Sequence, residues 1–223
     1  MFGNGTTAAR APRPLTRPRV RAAATALALA GVLAAMAPTA QAAAHDRGTG
    51  ESRCGGRGVD SRALIRYESG ILIKAPLRTI WKLQTDVERW PSWQPPVTTM
   101  ERLDPGPLRK RSQFRWTTPA PATPATPATT LTITSTVQRL RERECVLWKG
   151  PAIGEDLRID EGVHLWTFRK TEGGVRVHTE ETWTGDQVEA DVRTATEALG
   201  RGLEAWLRDL KATAEASSGG RPH

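Results

Sequence analysis

Two side chains able to hold or move a proton fall where strand periodicity points inward. His164 alternates in phase with Trp166 and Phe168, and Glu181 alternates in phase with Val175, Val177 and Trp183. A period of two places such residues on one face of a strand. An imidazole and a carboxyl group on an otherwise apolar face could orient a ligand carbonyl or hydroxyl, or exchange a proton with it. The same residues also read as structure: a histidine hydrogen-bonded within a sheet and a glutamate paired with an arginine. The opposite phase carries Arg176, His178 and Glu180, which suits a solvent-facing side. A bulge near Thr182 would exchange the two glutamates, so Glu180 stays a third candidate. No serine–histidine–aspartate grouping, glycine-rich phosphate loop or metal-ligand spacing accompanies them. The expectation is a site without metal or cofactor.

These residues need a scaffold, and the rest of the chain describes one. Residues 65–73 alternate as a first strand. Ala75-Pro76 then opens a helix that carries Ile80, Trp81 and Leu83. Trp90 and Trp93 flank Pro91 on a short turn. Each can hide roughly 150–250 Å², so both need something to pack against. Strands follow at 97–103, around Phe114 and Trp116, from Leu131 to Val137, from Glu144 to Trp148, through His164–Phe168 and through Val175–Trp183. Gly173-Gly174 is a hairpin signal between the last two. Residues 117–130 form a Pro/Ala/Thr tract that reads as a protruding hairpin loop. From Gln187 to Ala214, Val188, Val192, Ala195, Leu199, Leu203, Trp206, Leu207 and Leu210 recur at helical spacing. That stripe predicts one long amphipathic helix. Gly200 and Gly202 weaken it, or let it approach the sheet closely or bend over a cavity.

Ala75-Pro76, the run Asp86-Val87-x-x-Trp90-Pro91-x-Trp93 and a Glu-bearing last strand before a helix resemble the SRPBCC superfamily, from Ile65 to Ala214. That superfamily holds START-like lipid carriers, plant allergens and polyketide cyclases. The resemblance implies an α+β helix-grip fold, in which six to seven antiparallel strands curve around the C-terminal helix. It also implies a cavity between sheet and helix for a small hydrophobic molecule, lipid- or polyketide-like. Besides His164 and Glu181, the residues expected at that ligand are Trp93, Phe114, Trp116, Trp166, Phe168, Trp183, Leu199, Leu203 and Trp206. Carriage needs only the apolar cavity. A cyclase or dehydratase needs in addition an acid/base group with a perturbed pKa.

The N-terminus carries a separate message. Arg10, Arg13, Arg17, Arg19 and Arg21 precede an apolar run from Ala22 to Met36 and the small-x-small site Ala40-Gln41-Ala42. Residues 1–42 therefore read as a secretory signal, and the mature protein is expected to start near Ala43, secreted or extracytoplasmic. The alternative is an uncleaved anchor, although the run is shorter than the ~20 residues of a membrane span. Of the net charge of +8, five positive charges lie in this segment. The remainder is ordinary and does not suggest a nucleic-acid partner. Residues 43–62 are polar and glycine-rich and read as a disordered linker, 63–214 as the domain, and 215–223 as a disordered tail. Cys54 and Cys145 either form a disulfide in an oxidising compartment or stay unrelated, with Cys145 packed in an apolar strand.

Overall fold

The computed structural model describes residues 53–123 and 126–219. Seven strands form one antiparallel sheet: β1 (Ile65–Ile73), β2 (Thr99–Arg102), β3 (Gln113–Ala120), β4 (Thr129–Arg141), β5 (Cys145–Ile153), β6 (Arg158–Thr171) and β7 (Gly174–Thr184). Their order is β1-β7-β6-β5-β4-β3-β2. Strands β2 to β7 are thus a plain meander, and β1 adds itself to the far edge. The connection from β1 to β2 must cross the whole sheet. It does so through helix α1 (Leu77–Thr85) and a 3-10 helix (Val87–Ser92). Helix α2 (Asp186–Glu189) and the long helix α3 (Val192–Gly219) complete the fold. This is the α+β arrangement expected from the sequence: a curved antiparallel sheet with a long C-terminal helix.

Polar side chains of α3 fasten it to the edge strand. Glu204 accepts from the hydroxyls of Tyr67 (3.2 Å) and Ser69 (2.6 Å). Lys211 donates to the Leu72 carbonyl (2.7 Å), and Glu215 accepts from the Lys74 amide (2.8 Å). The last two bonds occupy backbone groups that an open edge would leave exposed. Gly200 explains the close approach, because a Cβ there would lie 2.7 Å from the Tyr67 ring. Gly202 has open space around it.

The helix-bearing side of the sheet holds two apolar clusters. One is aromatic and gathers α1, the 3-10 helix and the second half of α3 around Trp90, Phe114, Trp148, Trp166 and Trp206. The other is built of smaller residues, including Ile65, Leu131, Ala152, Ile159, Leu199 and Leu203. The opposite side carries a third, small cluster. There Cys54 and Cys145 form a disulfide, and the pair packs on Leu147 and Leu165 with Val59 alongside.

Several sequence expectations change here. The tract 117–130 is not all loop: Thr117–Ala120 pair with Thr129–Thr132 as β3 and β4. Pro119 is tolerated because β2 pairs only as far as Thr117, so the missing N–H faces an open edge. The predicted helix from Gln187 is interrupted. Asp191 accepts from the Thr194 amide at 3.0 Å and starts α3 anew as an N-terminal cap. Nor does the helix end at Ala214. Residues 215–219, expected as tail, remain helical, with the hydroxyls of Ser217 and Ser218 donating to the carbonyls of Thr213 and Ala214. Residues 53–62, expected as linker, include the fully buried Cys54 and Val59 packed on the sheet. The expected signal segment and residues 43–52 lie outside the described residues. Among the described residues no helix is long and apolar enough to cross a membrane.

Candidate functional site

The small-residue cluster does not fill the space between sheet and helix. A cavity of about 330 Å³ remains, within the range of small-molecule sites. Its sheet wall is Leu131, Ile133, Ala152 and Ile159, and its helix wall is Leu199 and Leu203. Residues Thr118–Thr123 and Thr126 border it from the β3–β4 connection. Trp116, Trp148 and Trp206 close the end that faces the aromatic cluster. Behind them Trp90 sits at the centre, 4.9 Å from Trp206, 5.7 Å from Trp148 and 5.5 Å from Phe114 between ring centroids. The aromatic half is solid and the other half is hollow.

Glycine shapes the cavity wall. Gly150 and Gly162 stand opposite each other on β5 and β6, beside a break in register. A Cβ at Gly150 would lie 1.8 Å from the Thr134 carbonyl oxygen, so no side chain fits. A Cβ at Gly162 would lie 3.4 Å from Glu181 Oε1. Its absence keeps the carboxyl group uncovered on that side.

His164 and Glu181 are cross-strand partners on β6 and β7, and both face this cavity. His164 Nδ1 lies 3.0 Å from Glu181 Oε2. On the other side of the ring, His164 Nε2 lies 2.8 Å from Thr179 Oγ1. The Thr179 hydroxyl donates to the Leu165 carbonyl at 3.2 Å, so it accepts from Nε2–H. Nδ1 is then the bare nitrogen, and the proton in the contact with Glu181 belongs to the carboxyl group. Burial agrees with this assignment. It raises Glu181 from its ordinary 4.5 to about 7, against the opposing pull of the Trp183 Nε1–H bond at 2.8 Å. It lowers His164 from 6.5 to about 3. The imidazole sits between the indoles of Trp148 and Trp166, at 5.3 and 5.0 Å, where an imidazolium would lack solvation. The pair is thus a neutral imidazole holding a neutral carboxylic acid, with the acid at the rim of an apolar hollow.

Of the residues expected at a ligand, Trp116, His164, Glu181, Trp183, Leu199, Leu203 and Trp206 line the cavity. Phe114, Trp166 and Phe168 do not; they are buried in the aromatic core. Trp93 packs against Trp206 at 6.2 Å from the outer side. The inward phase of Phe114, Trp166 and Phe168 is correct, but Trp90 of the 3-10 helix, Trp206 of α3 and Trp81 of α1 fill the space in front of them. Glu180 departs further from expectation. It is on the opposite face, as its phase requires, yet only 2 % exposed, and its carboxylate binds Arg66. Glu68, His178 and Glu180 bring donor atoms within 4.8 Å of one another there. The Arg66 guanidinium already bridges the two carboxylates, so this grouping carries its own cation. Thr179, Gly150 and Gly162 were missed. Thr179 shares the phase of Glu181, and that phase was a usable signal.

Comparison with known proteins bears on this arrangement. The family described as "Polyketide cyclase / dehydrase and lipid transport" matches residues 65–215. No curated protein is significantly similar in sequence. Among solved structures, the di-domain ARO/CYC StfQ of the steffimycin biosynthetic pathway superposes with a TM-score of 0.54 at 18 % identity, covering 70 % of this chain. This chain spans about half of that one, 52 %. A protein from Thermus thermophilus gives 0.53 at 17 % identity, over 69 % of this chain and 99 % of that one. A START superfamily protein from Mycobacterium smegmatis gives 0.52 at 14 % identity, over 69 % and 99 %. At these identities the likeness is one of fold.

Proposed function

This chain belongs to the polyketide cyclase / dehydrase and lipid transport family, and on that premise we propose that it is an exported carrier of a small hydrophobic molecule, lipid- or polyketide-like. The observation behind this reading is the hollow half of the helix-grip core, walled by aliphatic and aromatic side chains around one polar pair. Apolar surface leaving water there gives affinity at about 25 cal/mol per Å². With its proton held in the contact with His164 Nδ1, the Glu181 carboxylic acid leaves Oε1 as an acceptor for a ligand hydroxyl without the cost of burying a charge. Export rests on the signal-like residues 1–42.

A second reading has its own support. A carboxyl group that gains and loses its proton near pH 7 beside a neutral imidazole is placed for acid/base work. Glu181 could protonate a carbonyl oxygen by turning its single O–H from His164 Nδ1 to the ligand, becoming a carboxylate that then recovers the proton as the product forms, as a cyclase or dehydratase requires. The two readings separate by mutation. Native mass spectrometry of protein purified from its own host should find a co-purifying small molecule. Ala198→Trp, which fills the cavity from α3, should abolish its retention. His164→Ala and Glu181→Gln should leave affinity within about tenfold, or roughly 1.4 kcal/mol. A substrate whose turnover vanishes in Glu181→Gln while binding persists would replace the carrier with an enzyme. Unchanged retention in Ala198→Trp would remove both readings.

A further inference from the structure

Taking the cavity as the binding site, we infer that Gln94 determines which molecules it accepts. The Gln94 side-chain carbonyl receives a neutral O–H or N–H of the guest. The cavity thereby selects hydroxyl-bearing apolar molecules over equally apolar ones that carry no donor.

Gln94 lines the cavity and is fully buried. Its backbone is held on both sides. The Gln94 amide donates to the Trp90 carbonyl at 2.8 Å, and the Gln94 carbonyl accepts from the Val97 amide at 2.9 Å. Pro95 and Pro96 follow directly, and a residue ahead of proline is biased to extended backbone. The side chain is oriented as well. Gln94 Nε2 donates to the Trp206 carbonyl at 3.2 Å. Turning the amide over would set Oε1 against that carbonyl oxygen, so the hydrogen-bond pattern fixes which end is which. Trp206 is one of the three indoles that close the cavity, and its own Nε1–H goes to Gln84 Oε1 at 3.1 Å.

Gln94 Oε1 is left as a buried acceptor without a hydrogen-bond partner. Packing does not call for it. Trp206 lies inside α3, where the helix ladder already brings a donor to its carbonyl. A methionine at position 94 would fill a similar volume without desolvating a carbonyl, and an unpaired buried carbonyl is a net loss. A donor on the cavity's occupant offsets that loss. The other acceptor offered to a ligand, Glu181 Oε1, asks for the same kind of group. The indole N–H groups of Trp183 and Trp206 are committed to Glu181 and Gln84, which leaves neither for a ligand carbonyl. A molecule with a hydroxyl group pairs with Gln94, whereas a plain hydrocarbon, an ether or a ketone leaves it unpaired.

The test uses the full chain with its disulfide intact and two fluorescent probes of one shape, hydroxypyrene and methylpyrene substituted at the same ring position. Titrations are run at mildly acidic pH, where a phenol keeps its proton. Methylpyrene reports the apolar cavity alone and should bind saturably. In Gln94→Met, hydroxypyrene should bind about tenfold more weakly, the order of one hydrogen bond to a buried acceptor, while methylpyrene keeps its affinity or gains. Gln94→Leu should repeat this with a second side chain that lacks an acceptor. A residue that only packs would weaken both probes together or change neither. Either result overturns the role of Gln94 while methylpyrene binding still upholds the cavity. Failure of both variants to fold would make Gln94 a structural residue and overturn it too. No saturable binding of either probe to the wild type would remove the cavity as a binding site, and the role of Gln94 with it.

Discussion

At the scale of single residues, the His164–Glu181 pair has an unusual relation to pH. Glu181, raised from 4.5 to about 7, binds its proton more tightly in the folded chain. Its contribution to stability is complete below pH 4.5 and is lost as pH rises toward 7. His164, lowered from 6.5 to about 3, behaves oppositely: its contribution is complete above pH 6.5 and is lost as pH falls toward 3. Between pH 4.5 and 6.5 the folded pair holds one proton on the glutamate, and the unfolded pair holds one on the histidine. The two slopes cancel. Single substitutions should expose them. In Glu181→Gln, where only the histidine's slope remains, the site's contribution to stability should rise with pH between about 3 and 6.5. In His164→Gln it should fall between 4.5 and about 7. Each slope is at most about 1.4 kcal/mol per pH unit, the value for one proton. Urea unfolding at a series of pH values measures them. Parallel profiles in all three proteins would show that the pair is not neutral. Strand phase made both residues legible in the sequence. The burial of Glu180 was not legible, because its partner Arg66 comes from β1, 114 residues away in sequence.

At the scale of elements, the sequence marked each strand, and lost precision where one element depends on another. Alternation told which side chains point inward. It could not tell that α1, the 3-10 helix and α3 reach Phe114, Trp166 and Phe168 before any ligand could. The break before α3 did have a local sign, Asp191 three residues ahead of Thr194. The apolar stripe runs through it, since Val188 packs in the same cluster as Leu199. The two helix glycines show how spacing alone underdetermines a role. Gly200→Ala drives a methyl into the Tyr67 ring and should cost about 1–3 kcal/mol, with loss of the Tyr67–Glu204 bond. Gly202→Ala meets nothing and should stabilise by up to about 1 kcal/mol through helix propensity. Chemical denaturation of the two variants side by side checks both signs. Equal effects would mean that α3 does not depend on close approach to β1.

At the scale of the whole molecule, the disulfide joins positions 91 residues apart and ties the start of the described chain to β5 in the middle of the sheet. Such a long closed loop loses much entropy from the unfolded state, so Cys54→Ser/Cys145→Ser should lower stability by about 2–5 kcal/mol. Comparison of denaturation midpoints in oxidised and variant protein gives the value; no difference would mean that the link is absent in solution. The aromatic half of the core has a consequence of another kind. Trp90 and Trp206 lie 4.9 Å apart at 88°, and Trp116 and Trp148 stand within 6 Å of Trp90. Indoles this close share an electronic excitation instead of absorbing separately. Fixed in one chiral arrangement, they should give strong near-ultraviolet circular dichroism that disappears with loss of fixed packing. Because Trp116, Trp148 and Trp206 also form the end wall of the cavity, a guest bound there as proposed would perturb the shared excitation directly. The proposed binding would thus be visible through the protein's own chromophore, with no label attached.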